Sequence, residues 1–224
     1  MGMEAPQQDI QKEMAAEAAL DFVSAGDVIG IGTGSTTNFF IDSLVKIKSK
    51  IDAAVASSEV SAERLRAVGI RVIDLNHAGE LPLYVDSADE ATSNGYLIKG
   101  GGGALTREKI VASACGKFVC IIDTSKLCGI LGSFPLPIEV IPMAQGLVSR
   151  RLVQMGGTPV VRERFQTDNG NIVIDVRNLD LTDPLRVEQE LNCVAGVVEN
   201  GIFGRQSADV LLVGGDNDVR QLNL

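Results

Sequence analysis

Lys99-Gly-Gly-Gly-Gly-Ala-Leu-Thr-Arg-Glu108 sets a lysine and a glutamate at the two ends of a glycine-rich stretch, and Asp86-Ser-Ala-Asp89-Glu90 brings three more carboxylates just before it. Glycines in series let a backbone approach a ligand closely, at an entropic cost in the unfolded chain. Acids and bases crowded around such a loop shift one another's proton affinities toward values at which they can move protons on a small substrate. The simpler account is a solvated turn leading into a charged helix start, where a first-turn acid such as Glu108 contributes only ~0.3–1 kcal/mol. Lone lysines such as Lys99 and Lys126 are most often solvated strand ends. The density of the cluster favours a site, with Glu90 left outside the chemistry.

A second loop, Gly30-Ile-Gly-Thr-Gly-Ser-Thr-Thr37, falls between a predicted strand and a predicted helix. Ligands of open α/β sheets bind at that end of a strand, and the N–H groups and dipole of the following helix favour an anion. Thr33, Ser35 and Thr36 add hydroxyl donors. No Gly-Lys-Ser/Thr closes the loop, so it is not a P-loop. With Gly30 and Gly32 in register, the third glycine of a dinucleotide fingerprint would fall at Ser35. Together with Ser57-Ser58 after the next strand, the loop suits a small polar phosphoester better than NAD or ATP.

The elements that must position these loops alternate. Helices are predicted over Asp9–Ser24, Thr33–Lys46, Ala62–Val68 (capped by Ser61) and Thr106–Gly116. Strands are predicted over Asp27–Gly32, Ile51–Ala56, Arg71–Leu75, Pro82–Val85, Tyr96–Ile98 and Phe118–Ile122. The first ~125 residues thus read as a parallel α/β sheet. The pattern changes near Phe134-Pro-Leu-Pro137. A helix over Pro142–Met155, strands over Thr158–Arg164 and Asn171–Val176 joined through Asp168-Asn-Gly170, a helix over Val187–Asn192 and a strand over Gly196–Asn200 suggest a small α+β subdomain. The apolar strand Ala208–Val213 is placed to rejoin the first sheet.

Composition narrows the classes. The chain has 224 residues, a formal net charge of −9 and 45% hydrophobic residues, with no Trp and one histidine. That balance disfavours nucleic acid and anionic membrane surfaces as partners. No apolar run is long enough for a membrane span, and no signal peptide is apparent. His77, the lone histidine, reads as a loop residue, so a multi-histidine metal site is excluded. Cys115, Cys120, Cys128 and Cys193 form no C-x-x-C pair and read as core thiols of a protein in a reducing, cytoplasmic compartment.

Taken together, Gly32-Thr-Gly-Ser-Thr36, Ala56-Ser-Ser58, Val85-Asp-x-Ala-Asp-Glu90, Ile98-Lys-Gly-Gly-Gly with Ala104-Leu-Thr-Arg-Glu-Lys109, Asp123-x-Ser-Lys126 and Phe134-Pro-Leu-Pro-x-Glu-Val-Ile-Pro142 resemble the ribose-5-phosphate isomerase A family. The resemblance runs over essentially the whole chain. It implies interconversion of D-ribose 5-phosphate and D-ribulose 5-phosphate, in the non-oxidative pentose phosphate pathway, with no metal or organic cofactor. It implies a Rossmann-like parallel-sheet domain (1–131 plus 207–224) and a smaller ferredoxin-like α+β subdomain (132–206) that serves oligomerisation, in homodimers or homotetramers.

The resemblance also assigns roles. Glu108 is the base that carries the proton, Asp86 assists ring opening, Lys99 stabilises the enediolate and Asp89 orients sugar hydroxyls. Thr33, Gly34, Ser35, Thr36, Asp86, Ser87, Ala88, Asp89, Lys99, Gly100, Gly101, Gly102 and Lys126 bind the sugar phosphate. Ser87 departs from the pattern, because the family usually has glycine there. If that position needs a positive φ, serine costs roughly 1 kcal/mol. A non-catalytic sugar-phosphate sensor is the competing reading, since fold alone does not assign function. Sensors of this kind usually carry a basic helix-turn-helix segment, which an acidic chain opening on one helix and a strand does not show. A nucleotide-binding oxidoreductase fails on the missing fingerprint.

Overall fold

The computed structural model describes residues 5–224. Along the chain run α1 (Ala5–Ala18), β1 (Val28–Ile31), α2 (Ser35–Leu44), β2 (Ala53–Ala56), α3 (Glu59–Ala67), β3 (Leu83–Asp86), β4 (Glu90–Thr92), β5 (Leu97–Ile98) and α4 (Leu105–Ala114). They are followed by β6 (Phe118–Asp123), β7 (Leu127–Cys128), β8 (Leu136–Val140), α5 (Gln145–Gln154), β9 (Thr158–Val161), β10 (Ile172–Arg177), α6 (Pro184–Asn192), β11 (Val197–Asn200), β12 (Ile202–Phe203), β13 (Val210–Gly214) and β14 (Val219–Asn223).

The largest sheet has the order β14-β13-β6-β3-β1-β2. Its strands pair in parallel except for β14, which returns antiparallel against β13. β6 is buried along its whole length, as a strand covered on both faces must be. One face packs Ile29, Ile31, Val85 and Ile121 under α1 and α2; the other packs Tyr84, Phe118 and Cys120 with Val111 of α4 and Phe203. The sheet therefore delivers the C-terminal ends of β1, β3 and β6 to one edge.

Residues 136–200 form a second unit with the element order β-α-β-β-α-β and the sheet order β11-β8-β10-β9, antiparallel throughout. This is the ferredoxin-like arrangement. Its own core joins Ile138, Val140, Val148, Leu152, Ile174 and Leu191. A third small sheet, β12-β5-β4-β7, splices the two units. Ile202 of β12 pairs with Ile98 of β5, so the strand that leads into Lys99 is completed by residues from beyond the second unit.

Several expectations need correction. Residues 71–75 make only an isolated bridge, Val72 to Ala54, because Asp74 accepts the Asn76 N–H at 2.7 Å and turns the chain into a short 3-10 helix, Leu75–His77. Helix α3 starts at Glu59 and is capped by Ser58, whose hydroxyl accepts the Ser61 N–H; Ser61 lies inside the first turn. Strand β9 stops at Val161, before Arg164 takes a left-handed φ of 51°. Strands β4, β7, β8, β12 and β14 were not foreseen. Of the four cysteines only Cys120 is buried; Cys115 and Cys128 are half-buried and Cys193 is exposed. Among the described residues, no helix is long and apolar enough to cross a membrane.

Candidate active site

The site is built at the C-terminal edge of the large sheet, from the loop after β1, the end of β3, the glycine loop before α4 and the turn after β6. One cavity of about 100 Å³ there is lined by Thr33, Gly34, Ser35, Thr36, Ser87, Ala88, Asp89, Lys99, Gly100, Gly101, Gly102, Glu108 and Lys126. Asp86 alone among the predicted site residues is not on its wall. It lies beneath, fully buried, as the last residue of β3.

Asp86 is saturated with donors. Its Oδ1 accepts the Thr33 N–H at 2.9 Å, the Ser87 N–H at 2.7 Å and the Thr37 hydroxyl at 3.2 Å. Its Oδ2 accepts the Tyr84 hydroxyl and stands 2.5 Å from Lys99 Nζ. Gly32 makes this possible, since a Cβ there would fall 1.8 Å from the Asp86 carboxylate. A carboxylate held by this many donors is fixed in place.

Lys99, only 2% exposed, donates to the Ser87 carbonyl at 2.5 Å and lies 3.2 Å from Glu108 Oε2. Burial opposes its charge, but Asp86 and Glu108 outweigh burial and raise its pKa above the ordinary lysine value. The ion pair with Lys99 is the contact of the buried Glu108 Oε2, which has no hydrogen-bond partner. Burial first, and then the Asp86 and Asp89 charges, push the Glu108 carboxyl up to about 8 against the pull of Lys99. Asp89 accepts the Gly101 N–H at 2.7 Å, and burial raises its pKa against the opposing effects of that bond, Lys99 and Lys126.

The anion end of the cavity is the start of α2, with Gly34 at its cap and Ser35 and Thr36 in its first turn. First-turn N–H groups have no partner within the helix and face an anion favourably. Thr33 extends the polar lining, donating from its hydroxyl to Ser58 Oγ at 2.8 Å. Ser87 does not need a positive φ; the only non-glycine residues there are Arg164 and Asn178 among the described residues. Instead its hydroxyl donates to the Thr33 carbonyl at 3.2 Å and ties the two loops together. The strain expected of a serine at this position is absent.

A family model for ribose 5-phosphate isomerase A (phosphoriboisomerase A) matches residues 53–218, most of the chain and both halves of this cavity's acid–base cluster. The chain belongs to that family. Ribose-5-phosphate isomerase A of Acidithiobacillus ferrooxidans is 55% identical over 206 residues, covering 92% of this chain and 94% of its own. The ribose 5-phosphate isomerase A structure from Neisseria gonorrhoeae superposes with a TM-score of 0.95 at 49% identity, over 96% of this chain and 97% of its own. The Methanocaldococcus jannaschii enzyme follows at 0.90 and 38% identity, over 96% and 98%. A D-ribose-5-phosphate isomerase in complex with phospho-erythronic acid gives 0.93 and 36%, over 97% and 99%.

Within the isomerase fold another cavity, about 540 Å³, lies between α3 and α4 and is lined by Glu59, Arg66, Asp74, Asn76, Arg107 and Ile110. Its Glu59 and Arg107 pair with each other at 3.0 Å and are partly exposed, whereas the smaller cavity holds the buried Lys99 and Glu108, so the chemistry is assigned to the smaller one. Sequence reasoning passed over Tyr84, Thr37 and Arg162. Tyr84 and Thr37 are the further donors to Asp86, and Arg162 reaches across from the ferredoxin-like unit to the Gly101 carbonyl at 3.1 Å. Only Tyr84 left a trace in the sequence, as a polar-tipped side chain on the inward face of a buried strand. Among the described residues, no group of three or more His, Cys, Asp or Glu is placed to hold a metal ion.

Proposed function

We propose that this ribose-5-phosphate isomerase interconverts D-ribose 5-phosphate and D-ribulose 5-phosphate with Glu108 as the base that moves the proton. The observation that carries the assignment is the Glu108 carboxyl itself: it lines the cavity, has one oxygen without a hydrogen-bond partner, and has a pKa raised by burial to about 8. A group poised near neutral pH both takes and returns a proton. A pure binder gains nothing from holding a buried carboxyl in that condition, which disfavours a sensor.

In the forward direction the Glu108 carboxylate takes the proton from C2 of the open-chain aldose. The electron pair left behind forms the C1–C2 double bond of an enediolate, and its negative oxygen is met by the Lys99 ammonium and the N–H groups of the 100–102 backbone. The C2 hydroxyl proton passes to O1, which becomes the C1 hydroxyl, while Glu108 returns its proton to C1 and C2 becomes the carbonyl of the ketose. The phosphate takes the α2 N-terminus with Thr33, Gly34, Ser35, Thr36 and Lys126. A structural neighbour's complex with phospho-erythronic acid supports a phosphorylated sugar acid as the right size and charge for such a cavity. Asp89, with its raised pKa and place on the wall, orients hydroxyls and serves ring opening. Asp86, saturated by five donors and off the wall, is assigned to holding Lys99 rather than to carrying a proton.

The division into 1–131 plus 207–224 and 132–206 belongs to the same reading, with the latter as the oligomerisation element of a homodimer or homotetramer. Exposed Ile141, Met143 and Leu147 on that unit support it. The four free cysteines support a cytoplasmic setting. The deciding experiment is turnover of ribose 5-phosphate by the purified protein in excess EDTA, beside Glu108→Gln. Turnover that survives chelation and falls by about 10²–10⁴-fold in the variant, with phosphosugar binding kept, is the expected result. Near-normal turnover in Glu108→Gln removes Glu108 from the mechanism.

A further inference from the structure

Among the described residues Tyr84 is the largest fully buried side chain, and it takes no part in the chemistry described so far. It sits on β3 two residues before Asp86, and its ring packs on Phe118 with centroids 5.0 Å apart. Ring packing alone would be served equally by phenylalanine. The hydroxyl is the added element, and a buried hydroxyl costs free energy unless it has a partner. Its partner is Asp86 Oδ2, the same oxygen that faces the Lys99 ammonium at 2.5 Å. Lys99 in turn stands 3.2 Å from Glu108.

We infer that Tyr84 is a positioning residue of the isomerase: by sharing Asp86 Oδ2 with Lys99, its hydroxyl sets how strongly the ammonium is drawn to Asp86 and how much of its charge is left for Glu108 and the enediolate. The inference rests on the assignment of Glu108 as the base. Two donors on one carboxylate oxygen compete for it. Where Tyr84 donates, Asp86 presents a weaker field to Lys99 and to Glu108. Where the hydroxyl is gone, Asp86 holds Lys99 more tightly and opposes ionisation of Glu108 more strongly. Burial, and then the Asp86 and Glu108 charges, raise the Tyr84 pKa well above its ordinary value, so the phenol stays a donor throughout the working range.

The charged and titratable groups around Glu108 are few. Asp86 and Tyr84 face it from β3, Asp89 from the loop after β3, Lys99 from the end of β5 and the Cys120 thiol from β6, while Lys126 acts on Asp89 from the turn beyond β6. Burial raises the Cys120 thiol far above the ordinary value, which leaves it neutral and silent. Tyr84 is thus the neutral group whose removal changes the field of the cluster without changing its formal charge.

The test is the pH profile of kcat/KM for wild type and Tyr84→Phe, with thermal unfolding run alongside. The expected result is an acid limb displaced upward by about half a pH unit, hence a rate about threefold lower below the limb, with the plateau less affected. A merely structural role would lower the rate at every pH and leave the limb in place. The protein has two tyrosines, so fluorinated tyrosine incorporated in a Tyr96→Phe background reports on position 84 alone, without loss of volume. A fluorinated phenol is a stronger donor and is expected to displace the limb downward. If Tyr84→Phe does not fold, the fluorinated protein decides alone. A limb that stays with wild type, or moves the same way in both proteins, overturns the inference; a wild type that does not turn over ribose 5-phosphate instead overturns the assignment on which it rests.

Discussion

Glu108 and Lys109 are chain neighbours on α4 that face opposite ion-pair networks. Glu108 turns to Lys99 at 3.2 Å, inside the cavity. Lys109, about 100° further around the helix, donates to Glu188 at 3.0 Å and Glu199 at 2.9 Å, and to the carbonyls of Asn200 and Ile202 at 2.8 and 2.7 Å. The preceding residues of the same turn also reach the ferredoxin-like unit. Thr106 donates to the buried Glu139 carboxylate, and Arg107 donates to the Asn169 side chain and the Asp168 carbonyl, each at 2.9 Å. The turn that carries the base is gripped from both sides.

Lys109→Met should therefore unfold more easily than it slows. Truncating one partner of a buried pair leaves Glu188, 2% exposed, without its cation, at a cost of about 3–5 kcal/mol. Denaturant unfolding measures the loss. A variant within about 0.5 kcal/mol of wild type would show that the network contributes nothing to the grip.

Glu108→Gln should be more stable than wild type at alkaline pH and not at acid pH. The folded carboxyl holds its proton up to about 8, against an ordinary value of 4.5. Below 4.5 both folded and unfolded chains keep the proton, and the stabilisation by that proton is whole. Between the two values the unfolded chain releases it while the folded one does not, so wild-type stability falls as pH rises, by at most about 1.4 kcal/mol per pH unit, and levels off above 8. Thermal melts of both proteins from pH 4 to 9 check the divergence. Parallel curves would show that Glu108 is not held neutral in the fold.

How much of this was legible in the chain follows from the length scale of each interaction. The alternation of β1, β3 and β6 with helices, and the motifs Gly32–Thr36, Asp86–Glu90 and Lys99–Glu108, are local patterns, and the sequence carries them plainly. The rejoining strand β13 was legible because a fully apolar run has few other places to go. Strands β4, β7 and β12 are two or three residues long, too short for periodicity, and β7 and β12 exist because they pair with partners far away in sequence, whereas β5 falls within the predicted strand Tyr96–Ile98. Strand β14 has only Val219 and Leu222 as apolar residues, three positions apart with Arg220 and Gln221 between them, so no strand alternation marks it. Tyr84, Thr37 and Arg162 serve the site through contacts across 2, 49 and 61 residues, and only the fold brings the last two to it.

Gly103→Ala should displace the loop that covers the glycine run. A Cβ at this position would fall 2.1 Å from the Phe165 ring, and the backbone holds a φ of +82°. Arg162 lies over the same ring at 5.0 Å. The clash forces Phe165 off its seat, while the left-handed backbone alone costs alanine roughly 1 kcal/mol. Adding Phe165→Ala should return the clash portion and leave the backbone portion. Additive losses in the two single variants and the double variant, read from unfolding free energies, would show that the ring does not rest on Gly103.

The Lys99 N–H donates to the Gly201 carbonyl at 2.9 Å, more than a hundred residues downstream. Strand β5, which leads into Lys99, pairs with β12 at Ile202 and Phe203, and Lys109 closes on the carbonyls of Asn200 and Ile202. During synthesis the lysine and the helix of the base are both made before the residues that tether them. Until residues 200–202 follow, a nascent chain carries Lys99 and Glu108 without the backbone contacts that tether them. The lysine and the base's helix thus share one long-range tether, the segment around residue 201.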